Sequence, residues 1–312
     1  MNVSKYILLS AFIAVFSIAA QAKKPDKVPT WTDYDVAMKE QPHFQYQGEY
    51  IKGKDALQVL STVGKFYTSL YQGGLPGAGW DGSAVSHQWY DEKRIKQLLA
   101  SYRKIDRSIK AGANPAPAEA IVLFDGTSTD KIKGAKKVGD AVLAGFRSTD
   151  IYQDLTLHVE FLTPYKPTLA ISHPDRGNSG IYLNNAYEVQ ISDSFAHDSD
   201  KSAWKTETLI KKPYTWNATI YEVREPDLNL SLPALHWQSF DIDFTAPRFV
   251  DGKKVTNAKM TVFHNGIKIH DSVEVSKPTR GRENNAEQAN GFIYFQNHHN
   301  PVKFRNIWLI KK

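Results

Sequence analysis

The chain has 312 residues, with 39 Lys and Arg against 33 Asp and Glu and no cysteine. A formal charge of +6, spread along the whole length, excludes the clustered basic surface that follows a phosphate backbone, so nucleic acid is not an expected partner. The absence of cysteine excludes a disulfide framework and a lipid-attachment thiol.

Residues 1–22 have the pattern of a secretory signal peptide. Lys5 supplies the charged start, Ile7 to Ile18 is an apolar run broken only by Ser10 and Ser17, and Ala20-Gln21-Ala22 is a cleavage site. The run is shorter than the ~20 residues a membrane span needs, so a periplasmic or secreted protein with no stable span after leader removal is expected. Residues 23–112 are expected to form an N-terminal module. In it QYQGEYIKG, ALQVLSTVGKFYTSLY and GGLPGAGWDG predict short strands and turns up to residue 88. Residues 89–111 predict a helix, with Ile95, Leu98, Leu99, Tyr102 and Ile109 on one stripe and seven Lys or Arg against three Asp or Glu around it. Residues 113–118, ANPAPA, predict a linker.

From 119 to 312 the pattern is β. Leu155, Leu157, Val159 and Phe161 alternate with polar residues, as do Phe240, Ile242 and Phe244. Asn265-Gly266 between two such runs predicts a type I′ hairpin. Many short antiparallel strands imply a mainly β sandwich.

The chemistry concentrates in DRGNSGIYLNNAYEVQISD, residues 175–193. Side chains two apart on a strand share a face, so Glu188 and Gln190 project together beside the Asn178-Ser179 turn, with Val189 and Ile191 opposite. A carboxylate and amides so placed suit a sugar cleft, with Glu188 as a base or a metal ligand. Asp193, at a strand end, is a candidate metal ligand or a turn cap. Gln296 and His298 are also two apart, and imidazole serves as acid, base or ligand. Trp237 is a core tryptophan or a sugar platform. Glu188, Asp193, His197, Asp198, Asp200 and His298 offer ligands for a divalent metal ion, without a known ligand spacing. No H-E-x-x-H, phosphate loop, G-x-S-x-G or dinucleotide fingerprint is present.

GNSGIYL followed by YEVQISDS resembles the signature of the 3-keto-disaccharide hydrolase-like family. LFDGT from Leu123, HWQSFDIDFTAPRF from His236, TVFHNG from Thr261 and GFIYFQNHHNPVKFRNIWL from Gly291 follow in the same order. The resemblance spans residues 119–312. It implies a concanavalin-like jelly roll, preceded here by a small β-rich module and a connecting helix. It also implies a carbohydrate substrate, an enzyme that cleaves 3-keto-glycosides. A C3 ketone acidifies the C2 hydrogen, so C1–C2 elimination followed by hydration is the expected route, and the leader pattern adds export. The alternative is a non-catalytic, lectin-like glycan-binding module. Residues carried over are Glu188 and His298 as catalytic groups, with Asn178, Ser179, Gln190, Tyr221, Trp237 and Gln296 on substrate. The resemblance favours His298 over His299. Relatives often carry an arginine shortly after the NSG turn, where this chain has Asn184 and Asn185. No protein partner follows from the sequence.

Overall fold

The computed structural model describes residues 27–197, 216–282 and 285–312; the predicted leader, Asp198 and Asp200 lie outside them. The N-terminal module starts with helix α1 (Tyr34–Glu40), whose first turn is capped by the Asp33 carboxylate accepting from the Val36 N–H at 3.0 Å. An antiparallel sheet follows: β1 (Gly48–Lys52), β2 (Asp55–Ser61), β3 (Phe66–Tyr71), β4 (Ser86–Tyr90) and β5 (Arg103–Ile105), in the order β4-β3-β2-β1-β5. Ile95 of α2 (Glu92–Leu99) packs on Tyr50, Leu57, Val59 and Phe66 of one face. On the other face Leu60 and Tyr67 meet Ile171 and Phe195 of the larger domain. Pressed between helix and domain, β2 is buried at six successive positions instead of alternating.

The predicted helix at 89–111 is therefore shorter than its pattern suggests. It is capped by Asp91 and ends at Leu99, and the chain turns back so that Arg103–Ile105 pairs with the open edge of β1. Pairing an exposed edge satisfies the same backbone groups that a longer helix would. The predicted basic face is also partly consumed. Arg107 makes a bidentate ion pair with the buried Glu49 (2.6 and 2.7 Å), and Lys104 donates to the Gln45 carbonyl at 2.8 Å.

The rest is a mainly β jelly-roll sandwich. Its strands are β6 (Ile121–Phe124), β7 (Ile132–Lys133), β8 (Lys136–Val138), β9 (Ala141–Leu143), β10 (Phe146–Ser148), β11 (Leu155–Leu162), β12 (Ser179–Leu183) and β13 (Tyr187–Ile191). They continue with β14 (Gln238–Thr245), β15 (Arg248–Val250), β16 (Lys253–Thr256), β17 (Ala258–His264), β18 (Ile267–Val275), β19 (Tyr294–Phe295) and β20 (Lys303–Lys311). The larger sheet runs β18-β17-β14-β11-β20-β9-β8, with β6 also on β20; the smaller runs β13-β12-β19-β10-β7. Leu157, Val159, Phe161, Phe240 and Ile242 of the larger sheet enclose one core with Ile181, Val189, Ile191 and Phe295 of the smaller. The Asn265-Gly266 turn joins β17 to β18 with both φ angles positive (51° and 78°), as a type I′ turn demands. Among the described residues, no helix is long and apolar enough to cross a membrane.

A polar cluster lies on the outer face of the larger sheet. His158 is 2 % exposed, bonds Asp241 Oδ1 through Nδ1 (2.6 Å), faces Glu160 and stacks on Trp308. Burial alone would lower its pKa, but the hydrogen bonds and charges of Asp241 and Glu160 outweigh that and raise it to about 8. A raised histidine pKa gives stability that is complete below its ordinary 6.5 and is lost as pH passes 8. Unfolding free energy should therefore fall by about 1–2 kcal/mol between pH 6 and 9 on this account, after allowing for the partly exposed Asp241. Denaturant titrations of wild type and His158→Gln should show that this slope flattens in the variant; equal slopes would remove His158 as its source.

Candidate active site

The smaller sheet carries a cleft of about 430 Å³ lined by Asn178, Tyr182, Glu188, Gln190, Tyr221, Arg280, Gly281, Gln296 and His298. It brings together six residues predicted from the sequence, namely Asn178, Glu188, Gln190, Tyr221, Gln296 and His298. Strand pairing explains the grouping. Antiparallel register sets Gly180 opposite Gln190 and Tyr182 opposite Glu188, so all four occupy one face of the β12–β13 hairpin. Its three-residue loop, Asn184-Asn185-Ala186, has φ of 52° at both asparagines, and the Ala186 N–H donates to the Leu183 carbonyl at 3.0 Å.

Glu188 forms the floor and is 2 % exposed. Tyr182 donates its hydroxyl to Glu188 Oε2 at 2.7 Å, and Gln296 Nε2 donates to the Tyr182 oxygen at 3.2 Å. The Gln190 amide is oriented by its partners. With nitrogen toward Glu188 it donates to Oε1 (3.0 Å) and to the Ser179 carbonyl (3.1 Å), leaving its oxygen on Asn178. Burial pushes the Glu188 carboxyl up to about 8, while the Tyr182 hydrogen bond and the charge of Arg282 act the other way. Burial, then the neighbouring Glu188, drives the Tyr182 phenol well above its usual range. The floor is thus a protonated acid at neutral pH with a phenol on one oxygen and an amide on the other.

The backbone around this floor is tied on both sides. The Glu188 N–H donates to Thr279 Oγ1 (3.1 Å) and its carbonyl accepts from the Tyr221 N–H (3.1 Å). Gln296 is held against β12, its N–H donating to the Gly180 carbonyl (2.8 Å) and its carbonyl accepting from Ser179 Oγ (2.7 Å). Gln296 Oε1 is buried without a hydrogen-bond partner in the cleft. His298 is exposed at the rim, its carbonyl accepting from Asn300 Nδ2 (3.0 Å), and Lys166 Nζ donates to Asn300 Oδ1 (2.6 Å).

Three predicted site residues do not reach the cleft. Ser179 is fully buried and spends its hydroxyl on the Gln296 carbonyl, because alternation turns it away from the face of Gly180. Asp193 makes a buried ion pair with Arg176 through Oδ2 at 2.6 Å and does not line the cleft. Trp237 lies at the start of β14, half-buried, with the Arg305 guanidinium 4.1 Å from its ring centroid, and it lines a different cavity. His197 is buried with Nε2 on the Ile171 carbonyl (2.8 Å) and is pushed down to about 4 by burial. Among the described residues no three His, Asp or Glu side chains converge on a point that could hold a metal.

Sequence reasoning missed Tyr182, Arg280 and Arg282. Tyr182 had a usable signal, since it is two residues from Gly180 and pairs across to Glu188. The arginines lie about a hundred residues away, and only folding brings them in. Arg282 stacks over Tyr182 (4.9 Å) and Tyr294 (5.0 Å), and Arg280 Nη1 donates to Glu222 at 2.6 Å. They bring positive charge to the neighbourhood of the cleft.

Gly180 makes the floor possible. A Cβ there would lie 1.9 Å from Glu188 Oε1 and 2.7 Å from its Cδ. Gly180→Ala should destabilise by about 1–3 kcal/mol, and much of that loss should disappear in a Gly180→Ala/Glu188→Ala background. A double-mutant cycle by denaturant unfolding reads the coupling. The buried carboxyl gives a second expectation. With a folded pKa raised from 4.5 to about 8, its burial costs stability that grows as pH rises through that window. Glu188→Gln should therefore stabilise the fold more at pH 8 than at pH 5, by about 1–3 kcal/mol; thermal melts at the two pH values check it.

Residues 119–310 match the 3-keto-alpha-glucoside-1,2-lyase-like domain. No curated protein is similar enough to count as a match. Among solved structures, the chain is similar to an inferred glycosyl hydrolase from Parabacteroides distasonis, with 26% identity and a TM-score of 0.54, covering 66% of this chain and 89% of that one. Two further inferred glycosyl hydrolases of that organism are more distant. One has 15% identity and TM-score 0.41, covering 62% of this chain and 94% of its own; the other has 18% and 0.40, covering 62% and 99%. With the match spanning most of its length and the site-bearing hairpin inside it, the chain belongs to the 3-keto-alpha-glucoside-1,2-lyase-like family.

Proposed function

We propose that this protein is an exported carbohydrate-active enzyme that cleaves 3-keto-glycosides by elimination across C1–C2 followed by addition of water. The observation that carries this reading is the Glu188 carboxyl. It is buried beneath an open cleft and carries its proton up to about pH 8, with His298 at the rim above it. The family's 1,2-lyase description supports an elimination, and the pattern of residues 1–22 supports export.

A ketone at C3 acidifies the hydrogen on C2. His298 takes that proton, and the electron pair is delocalised as a C2–C3 enolate. Arg282 supplies positive charge, and the second hydrogen of Gln296 Nε2 a donor, near the developing oxyanion. The enolate collapses to restore the C3 ketone and form a C1–C2 double bond as the C1–O bond breaks. Glu188 gives its proton to the departing oxygen, so the aglycone leaves as a neutral alcohol. Water then adds to C1 and a proton returns to C2, giving the free 3-keto sugar. Gln190, Asn178 and the unpartnered Gln296 Oε1 orient the sugar hydroxyls. This route does not need the paired carboxylates of ordinary glycosidases, and among the described residues Glu188 is the carboxylate that lines the cleft. A divalent cation would add a Lewis acid, but the described donors do not form a cage for one, with Asp193 held by Arg176.

The test is product formation in deuterated water from a 3-keto-glycoside and from its unoxidised parent, each with and without a chelator. The keto sugar alone should be cleaved, with deuterium at C2 of the product. Glu188→Gln and His298→Ala should each lower kcat by about 100-fold or more while substrate binding persists. Cleavage of both sugars, or no C2 exchange, would sink the elimination. Binding without turnover would move the assignment to a lectin-like module.

A further inference from the structure

The geometry points to a second sugar-binding pocket, at the seam between the N-terminal module and the sandwich, that takes a neutral oligosaccharide. At about 630 Å³ this cavity is larger than the catalytic cleft and lies within the roughly 300–1,000 Å³ common for ligand sites. Residues from α1, β5 and the entries to β14 and β20 line it, so it exists only where the two parts of the chain meet.

His236 is the first reason to expect a ligand. It is 8 % exposed, and its Nδ1 lies 3.1 Å from the Ala234 carbonyl. A carbonyl can only accept, so Nδ1 carries the hydrogen and Nε2 is left as a bare acceptor. No partner for Nε2 is present among the described residues. Burial lowers the imidazole pKa, which keeps that nitrogen an acceptor at neutral pH. An acceptor without a protein partner beside a cavity is open to a donor from a ligand, and a sugar hydroxyl is such a donor.

The surrounding groups narrow the class. Tyr34 meets His236 edge-on (5.5 Å) and is 37 % exposed, and Trp237 lies on the same wall, so ring surface is available for the apolar face of a pyranose. Lys104 and Lys303 each spend one hydrogen on a backbone carbonyl, at Gln45 and Thr32, and keep donors for other acceptors. Asp33, Asp106 and Asp140 line the cavity as well, so nothing selects an anion, and the density of polar groups does not suit a lipid chain. The elements that build the pocket include residues 32–34 and 104–108, outside the segment that matches the family. The pocket therefore gives the extra module a function of its own, independent of the chemistry at Glu188.

Isothermal titration of the full-length protein with cellotriose and maltotriose tests this. At least one trisaccharide should bind, and binding should persist in a Gln190→Ala/His298→Ala cleft variant. It should weaken tenfold or more in Tyr34→Ala and in His236→Phe, with 3-keto-glycoside turnover unchanged. Tyr34 sits at the partly exposed edge, so its variant stays informative if the His236 variant fails to fold. Unchanged isotherms in a folded pocket variant, loss of all binding in the cleft variant, or no binding of either trisaccharide in the millimolar range would each overturn the pocket. None of these outcomes bears on cleavage, which is measured separately.

Discussion

Holding the carboxyl of Glu188 out of water is the constraint around which the site is built. An uncompensated buried carboxylate is costly, so burial keeps the group protonated, against the opposing pull of the Tyr182 hydrogen bond and the Arg282 charge. Tyr182 can reach the carboxyl only if β12 and β13 keep their register. A one-residue slip of β13 would turn Glu188 and Gln190 together to the face opposite Tyr182 and bring Val189 out of the core. The hairpin turn, the glycine at 180 and the Thr279 and Tyr221 contacts to the Glu188 backbone all serve that one alignment.

The loops at the open end of this hairpin need separate support. Arg176 is buried, pairs with Asp193 and donates to the Lys166 carbonyl (3.0 Å), so it links the entry to β12 with the exit from β13. Lys166 reaches Asn300, and Asn300 holds the His298 carbonyl. The N-terminal module closes the frame from outside. Ser61 Oγ lies 2.7 Å from Tyr165 Oη, Ser69 Oγ donates to the Ala196 carbonyl at 2.7 Å, and Trp31 and Tyr165 exchange backbone hydrogen bonds. The module thus braces the segment that presents both Asn178 and His298.

Much of this was legible in the sequence because it follows from periodicity. Glu188 and Gln190 share a face, Val189 and Ile191 share the core, and Asn265-Gly266 makes a hairpin, all as alternation and turn chemistry dictate. What failed depended on partners distant in the chain. Asp193 resembled a ligand until Arg176 was found against it, and Ser179 resembled a cleft residue although the parity of its own strand turns it inward. The helix from 89 was overextended because its apolar spacing continues while the backbone of 103–105 is claimed by β1. Tyr182 drew no assignment because tyrosine in a strand is ordinarily a core residue.

Trp237 shows why a motif residue need not belong to the motif's main site. It leads into β14 of the larger sheet, whereas Glu188 belongs to the smaller, and the sandwich core lies between the two sheets. A tryptophan so placed cannot stack on a sugar bound over Glu188. Its N–H donates to Ser108 Oγ (3.0 Å) and its carbonyl accepts from the Ile109 N–H (2.9 Å), so the chain leaving the N-terminal module is fastened to it directly. Arg305, on Trp237 by its guanidinium face, also holds Glu160 at 2.6 Å and so joins this seam to the His158 cluster. The tryptophan thus anchors the seam, and the cavity beside it is a product of docking the module there. On the proposed reading proton transfer belongs to the face of the smaller sheet, whereas at the seam burial lowers the His236 pKa and Asp106 and Asp140 face Lys110 and Arg305.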